Sequence, residues 1–471
     1  MKFNFLFPFL LVGTFFFSIW SCKGPENPKM LEGASAMAMS MPIQSAASRF
    51  PSYCQLFKPP SGVTDTFTLS QAYPDTFDVN APMPWTAVDF KTDYKKYLTT
   101  ILAYCMEGNI DVDFKVQNNK VRKWYSSPWM HDNGVGVNDP DKKPDNGREY
   151  WHGLTREITI PARTLGTKQT TAYQTYAIAY YNAPGGYTIG KVWKNANQPN
   201  VDQSTFPEGT VTFKLLFTEA DTTQVPYLAN SKKWKANIFV PFDAYKERTD
   251  TDVRLLQLDV AIKDKRANDG SGWVYGTFVY DASQTGKSWV ERMAPVGLMW
   301  GDDPNDMSML NITDKINPSL KQSIINPAIV GEAGRTGNQG YVTHLGMGGR
   351  MNGPVDNPIA SCISCHARAA INPKTGGTAS LANFTRNNYQ YTEEDFKTYF
   401  TEIPCGVTQL KQIKKAKKPD EKDIELTFTT GDYSFQIING IRNYINHLPR
   451  PAARGVKLAP IPMISRDGHV E

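Results

Sequence analysis

Residues 253–281, V-R-L-L-Q-L-D-V-A-I-K-D-K-R-A-N-D-G-S-G-W-V-Y-G-T-F-V-Y-D, decide the fold. Val253 to Ile262 and Gly272 to Asp281 are rich in β-branched and aromatic residues, and the polar run from Lys263 to Gly270 between them has the character of a hairpin loop. Working outward, Thr155 to Pro161, Thr210 to Phe217 and Asn237 to Phe242 repeat the pattern. Tyr176 to Tyr181 and Tyr187 to Trp193 flank Ala183-Pro184-Gly185-Gly186, a turn-forming tetrapeptide that predicts another hairpin. Strands following one another from about Glu149 to Pro304, with no helical period between them, predict an antiparallel sandwich or jelly-roll-like region.

The remainder of the 471-residue chain is organised around that region. Phe90 to Met106 places Phe90, Tyr94, Tyr97, Leu98, Ile101 and Leu102 at helical spacing. Trp124, Trp129 and Trp151 read as core beneath long loops, and Asp302-Asp303-Pro304-Asn305-Asp306 as a turn, since it lacks the spacing of a calcium loop. The composition divides the chain into residues 1–21, a secretion signal; 22–50, a flexible spacer; 51–310, β-rich; and 311–471, a mainly α-helical domain. In that last part Thr392 and Asp395 form a capping box, Val407, Leu410 and Ile413 suggest a helix, and Tyr433 to Leu448 an amphipathic final helix stopped by Pro449.

One motif carries chemistry. Ser361-Cys362-Ile363-Ser364-Cys365-His366 contains C-x-x-C-H, the spacing at which two thiols bond to one edge of a porphyrin while the following imidazole reaches the iron. With 6 Cys and 6 His in the chain, chance produces this pattern in about one such sequence in a thousand. A zinc site would need a fourth ligand, and a dithiol redox pair would need a βαβ frame that these proline-rich flanks do not provide. At these residues the chain resembles the c-type cytochromes. The resemblance implies one covalent haem c on Cys362 and Cys365 with His366 as proximal ligand, in an atypical cytochrome c-like domain, because Gly353-Pro354 and Asn357-Pro358 make the lead-in irregular. For the sixth ligand Met463, in a proline-rich stretch, ranks first, and His344, in a glycine-rich one with Met347 and Met351, ranks second.

The N-terminus concerns location. Lys2 precedes an apolar run ending at Ser21-Cys22, which looks like the lipidation site of a bacterial lipoprotein, with an uncleaved anchor helix as the other reading. Either one exports the chain, to the periplasmic side or outer membrane of a Gram-negative bacterium, with Cys22 as the lipid anchor. Export agrees with covalent haem attachment and excludes nucleic acid as a partner. Of the remaining cysteines, Cys54 and Cys105 are expected to pair as a disulfide, leaving Cys405. From Val330 onward there are 17 Lys+Arg against 13 Asp+Glu, a surplus of 4 of the chain's net +5, so an acidic redox partner suits the haem end. The expected function is one-electron transfer. A haem enzyme of peroxidase or oxidase type, acting on a small molecule held by the β-rich part, and a haem-based sensor are the alternatives, so whether the protein is an enzyme stays open.

Overall fold

The computed structural model describes residues 60–130, 148–239, 248–309, 315–329, 345–373, 375–379, 392–414 and 424–447. The secretion signal, Cys22, the spacer, Cys54, His344 and Met463 lie outside them. At the centre is an eight-stranded antiparallel sheet of β1 (Thr155–Ile160), β2 (Tyr173–Tyr181), β3 (Val211–Thr218), β4 (Lys233–Phe239), β5 (Arg248–Lys263), β6 (Trp273–Tyr280), β7 (Met293–Met299) and β8 (Ser323–Ile325). The order is β1-β2-β3-β5-β6-β7-β8. Strand β4 joins the first half of β5, which is long enough, at 16 residues, to pair with β3 and β6 along its second half.

Side chains alternate across a strand, so the register sorts the sheet into two different faces. One carries Ile178 and Tyr180, Phe213 and Leu215, Leu258, Val260 and Ile262, then Val274 and Phe278, all buried. Helix α1 (Tyr94–Met106) covers it, N-capped by Asp93, whose side chain accepts from the Lys96 amide, and Tyr97, Leu98, Ile101 and Leu102 are buried there. A Cβ on Gly276 would stand 2.3 Å from Leu98, so the helix lies directly on the strand at that glycine. Trp124 and Trp129 are core, as the sequence implies, whereas Trp151 is half-buried.

The opposite face has smaller and more polar residues. One cross-strand row is Ala179, Lys214, Asp259, Thr277 and Gly297; the neighbouring row is Tyr181, Thr212, Ala261, Tyr275 and Met299. This face is covered by α2 (Ala183–Val192), by the motif helix α3 (Cys362–His366) and by α5 (Phe435–His447). Helix α4 (Glu393–Phe400) lies beside α3, and a second sheet of three strands has the order β10 (Gln409–Lys414), β11 (Ile424–Thr430), β9 (Ala370–Ile371).

Three expectations need correction. The segment read as the hairpin Ala183-Pro184-Gly185-Gly186 is the start of α2: Asn182 caps it by accepting from the Gly185 amide, and Pro184 suits its first turn. Its glycines serve close packing, since Cβ atoms on Gly185, Gly186 and Gly190 would meet Tyr181, Tyr125 and Tyr73 at 2.8, 2.4 and 2.7 Å. The helix expected around Val407 to Ile413 is strand β10, which pairs residue for residue with β11 and presents Lys411 to Glu425 at 2.8 Å. The mainly α-helical haem domain is therefore not supported: the described residues from 345 to 447 combine three strands with three helices. They share a hydrophobic core with the large sheet, in which Tyr181, Trp193 and Tyr275 meet Ile363, Ile437 and Ile441. The antiparallel β-rich region stands, but as one eight-stranded sheet with helices packed on its faces and not as the two packed sheets of a sandwich or jelly roll. The capping box of Thr392 with Asp395 and the buried stripe Ile437, Ile441, Tyr444 of the last helix also agree with the sequence.

Candidate functional site

Ser361 starts α3 and fixes its position. Its hydroxyl accepts from the Ser364 amide while the Ser364 hydroxyl accepts from the Ser361 amide, a reciprocal cap for a helix of only five residues. The Ser361 hydroxyl also donates to Asp302, a fully buried carboxyl from the loop after β7. A Cβ on Gly346 would fall 1.8 Å from the Ala360 carbonyl oxygen, so a bare backbone is required where the lead-in crosses itself. Beneath this crossing Arg350, 0% exposed, donates to the carbonyl oxygens of Asp302, Met347, Asp303 and Asp306 and lies 3.8 Å from the Phe400 ring centroid.

On α3 the side chains of Ile363 and Ser364 are buried, whereas Cys362, Cys365 and His366 retain partial exposure. The imidazole is held by its Nδ1, 2.8 Å from the carbonyl oxygen of Tyr433, and by contacts with Tyr275 and Phe435 at 4.9 and 5.3 Å between ring centroids. A carbonyl only accepts, so Nδ1 carries the hydrogen and Nε2 keeps its lone pair. Burial lowers the His366 pKa to about 4, keeping the ring neutral at pH 7, the form in which it ligates a metal. Burial raises both thiols, Cys365 to about 12, which opposes the thiolate state of a reactive dithiol or a zinc ligand. Among the described residues no three His, Cys, Asp or Glu side chains converge as they would on a single ion. Two cysteine sulfurs and one imidazole nitrogen within five residues are thus the donors that the motif helix offers.

The carbonyl that orients His366 belongs to a strained turn. Asp432 and Tyr433 have φ of 44° and 66°, uncommon for residues other than glycine. The Asp432 carboxylate holds the turn by accepting from Lys263 Nζ at 2.8 and 3.0 Å, Trp273 Nε1 at 3.0 Å and the Phe206 amide at 2.8 Å. The Lys263 and Asp432 side chains are 6% and 13% exposed, so the ion pair is largely desolvated. Asp432→Ala should cost about 3 kcal/mol in urea unfolding, because it strands a buried ammonium. Asp432→Asn should cost less, and equal losses for the two variants would contradict this account of the turn.

The structure brings together Cys362, Cys365 and His366. Met351 packs against the first thiol, Sδ to Sγ 3.8 Å, and Met347 lies in the cluster that includes Cys365. Cys105 is buried and has no disulfide partner among the described residues; Cys54, its expected partner, lies outside them. A cleft of about 1230 Å³ lined by Asp75, Tyr187, Lys191, Asn200 and Asp202 includes none of the motif residues. Sequence reasoning missed Asp302, Asp432 and the Lys214–Asp259 row. The last had a signal, a charged residue set between two apolar neighbours in each of two strands, F-K-L and L-D-V. Comparisons with models of protein families, with curated proteins and with solved structures find no match.

Proposed function

We propose that this chain is an exported one-electron carrier with a single haem c, bonded through Cys362 and Cys365 and ligated by His366. The observation that carries the proposal is the neutral imidazole of a C-x-x-C-H helix, tied through Nδ1 to the Tyr433 carbonyl so that Nε2 is left for iron. The bound haem would supply an iron couple that gains and loses one electron. The protein's share is to restrain the imidazole between Tyr275 and Phe435, to keep it from protonating and to limit water around it. A rigidly held ligand reorganises little between oxidation states, which suits electron transfer. The sixth ligand is proposed as Met463, with His344 second. Lipidation at Cys22 would place the carrier on a membrane surface facing a redox partner with acidic groups.

Expression of the full chain in a host that attaches haem c tests the core of this reading. The expected product keeps its haem through denaturing electrophoresis and gives the pyridine haemochrome of a thioether-bonded haem. Cys362→Ser with Cys365→Ser should remove at least nine-tenths of that signal. A wild-type protein that gains no covalent haem would refute the proposal. A low-spin ferric spectrum is expected of an electron carrier, and a high-spin one would favour the enzyme or sensor.

A further inference from the structure

Lys214, Asp259 and Thr277 lie side by side across β3, β5 and β6 on the face that α3 covers. Two further carboxylates converge on them. Glu157, from β1, accepts from Lys214 Nζ at 3.0 Å, and Asp356 is contributed by the lead-in of the motif. Gln257 joins the two parts: its Nε2 donates to Asp259 Oδ1 at 2.8 Å and to Asp356 Oδ2 at 3.1 Å, while its Oε1 accepts from the Val355 amide at 3.2 Å. Two carboxylates that share one amide nitrogen are within about 6 Å of each other. A Cβ on Gly353 would be 2.3 Å from both Asp356 Oδ2 and Gln257 Nε2, so the lead-in reaches this point only with glycine there.

The cluster holds one ammonium against three carboxylates, and such an excess of buried negative charge is relieved by binding a proton. The Thr277 hydroxyl, 2.9 Å from Asp259 Oδ1, adds a neutral donor. Burial first, and the Asp356 charge second, push Asp259 up to about 7, against the opposing effect of Lys214; burial also raises Asp356. The motif lies against the neighbouring row of the same sheet face, where Tyr275, two residues along β6 from Thr277, contacts His366 at 4.9 Å between ring centroids, and burial first, then the Asp356 charge, raises the thiol pKa of both motif cysteines. Lys214 likewise acts on His366. A haem bonded at those sulfurs would carry its changing charge next to a carboxyl pair able to gain or lose one proton near neutral pH.

We propose that Asp259 and Asp356 form a redox-linked proton site, at which reduction of the haem iron by a one-electron donor protein is accompanied by uptake of one proton from solvent. The inference rests on the haem proposed above. In the step ferric iron takes one electron to become ferrous, one carboxylate takes one proton to become a carboxylic acid, and no other bond forms or breaks. Lys214 and Glu157 hold the remaining charges in place, and Gln257 keeps the two carboxyls adjacent.

The test is spectroelectrochemical titration of the full-length holoprotein from pH 5 to 9, with redox-difference infrared spectra of the same samples. For a one-electron couple a tenfold change in proton concentration corresponds to about 59 mV, so the wild-type midpoint should fall with pH towards that slope around neutrality. A protonated-carboxyl band should appear on reduction. Asp259→Asn should flatten the slope and remove the band, and Asp356→Asn should move the sloping region to lower pH. A slope that persists in both variants would assign the proton to the haem propionates and overturn the inference. If the variants fail to fold, the wild type still decides, because reduction without a new carboxyl band overturns it too. A protein with covalent haem and a flat midpoint defeats this inference alone, whereas a protein without covalent haem defeats the proposed function as well.

Discussion

Arg350→Leu should destabilise the full chain by more than about 4 kcal/mol, the range reached only when a buried polar network is broken. Leucine fills part of the volume and supplies no donor. The carbonyl oxygens of Asp302, Asp303, Asp306 and Met347, now 2.7–3.2 Å from the guanidinium, would stay buried without it. Each such group costs about 1–3 kcal/mol when left unsatisfied, and relaxation of the loop recovers part of the sum. The contact with Phe400 at 3.8 Å is lost as well. Arg350→Lys should rescue little, because an ammonium cannot match the planar fork that reaches four oxygens from one position. Urea unfolding measures both, and a loss below about 1 kcal/mol for the leucine variant would refute this account of the network.

Stability should also peak on the acid side of neutrality and fall between about pH 5 and 7 by at least about 3 kcal/mol. Burial is the reason. It pushes Asp302 up to about 7, well above an aspartate in the unfolded chain. Between about pH 4 and 7 the unfolded state has lost this proton while the folded state keeps it, so folding takes up a proton. Stability from this group is therefore complete below the unfolded value and is lost as pH rises through the folded one. Each pH unit across that window is worth about 1.4 kcal/mol per proton. Burial raises Asp259, Glu208 and Glu219 to about 7 too, and these add in the same direction. On the acid flank the sign reverses at Asp306. Burial opposes ionisation there, but hydrogen bonds from Ser308 and Ser319 hold the group down to about 2, so its contribution disappears as pH falls below about 4. Thermal melts from pH 3 to 9 give the profile. Asp302→Asn should flatten its neutral limb, and a wild-type optimum above pH 8 would contradict it.

How much of this was legible in the sequence depended on whether the deciding force was local. Thr155 to Pro161, Val253 to Ile262 and Gly272 to Asp281 are strands because β-branched and aromatic side chains suit a pleated surface, and β1, β5 and β6 lie where those residues do. The capping box at Thr392 was legible for the same reason, since its partners are three residues apart. Ala183 to Val192 was misread because Pro and Gly suggest a turn in isolation, whereas here Pro184 sits in a first helical turn and the glycines admit three tyrosines. Gln409 to Lys414 was misread because Val407, Leu410 and Ile413 stand three apart, a helical spacing, and only the partner strand β11 reveals the extended pairing. At the candidate site Cys362, Cys365 and His366 lie within five positions, so a spacing rule singles them out. Tyr433 and Asp302, which hold them, come from 67 and 59 residues away, Asp432 adjoins Tyr433, and Arg350 donates to main-chain carbonyls, and no spacing rule reveals a carbonyl oxygen.

The cover over the sheet's polar face has a consequence for the order in which the molecule is assembled. Ser204 bonds to the Thr430 carbonyl across 226 residues, and Tyr181 to Ser434 across 253, so the ends of this layer meet only after most of the chain exists. Contacts of such sequence separation form late, since a long loop must close before they repay its entropy. During synthesis the sheet emerges first, the motif next, and α5, with the turn that grips His366, after it. Until α5 docks, Cys362, Cys365 and His366 would lack the part of their cover that Tyr433 and Phe435 supply. If haem is attached as proposed, this interval would give the attaching machinery an accessible substrate, and docking of α5 would follow.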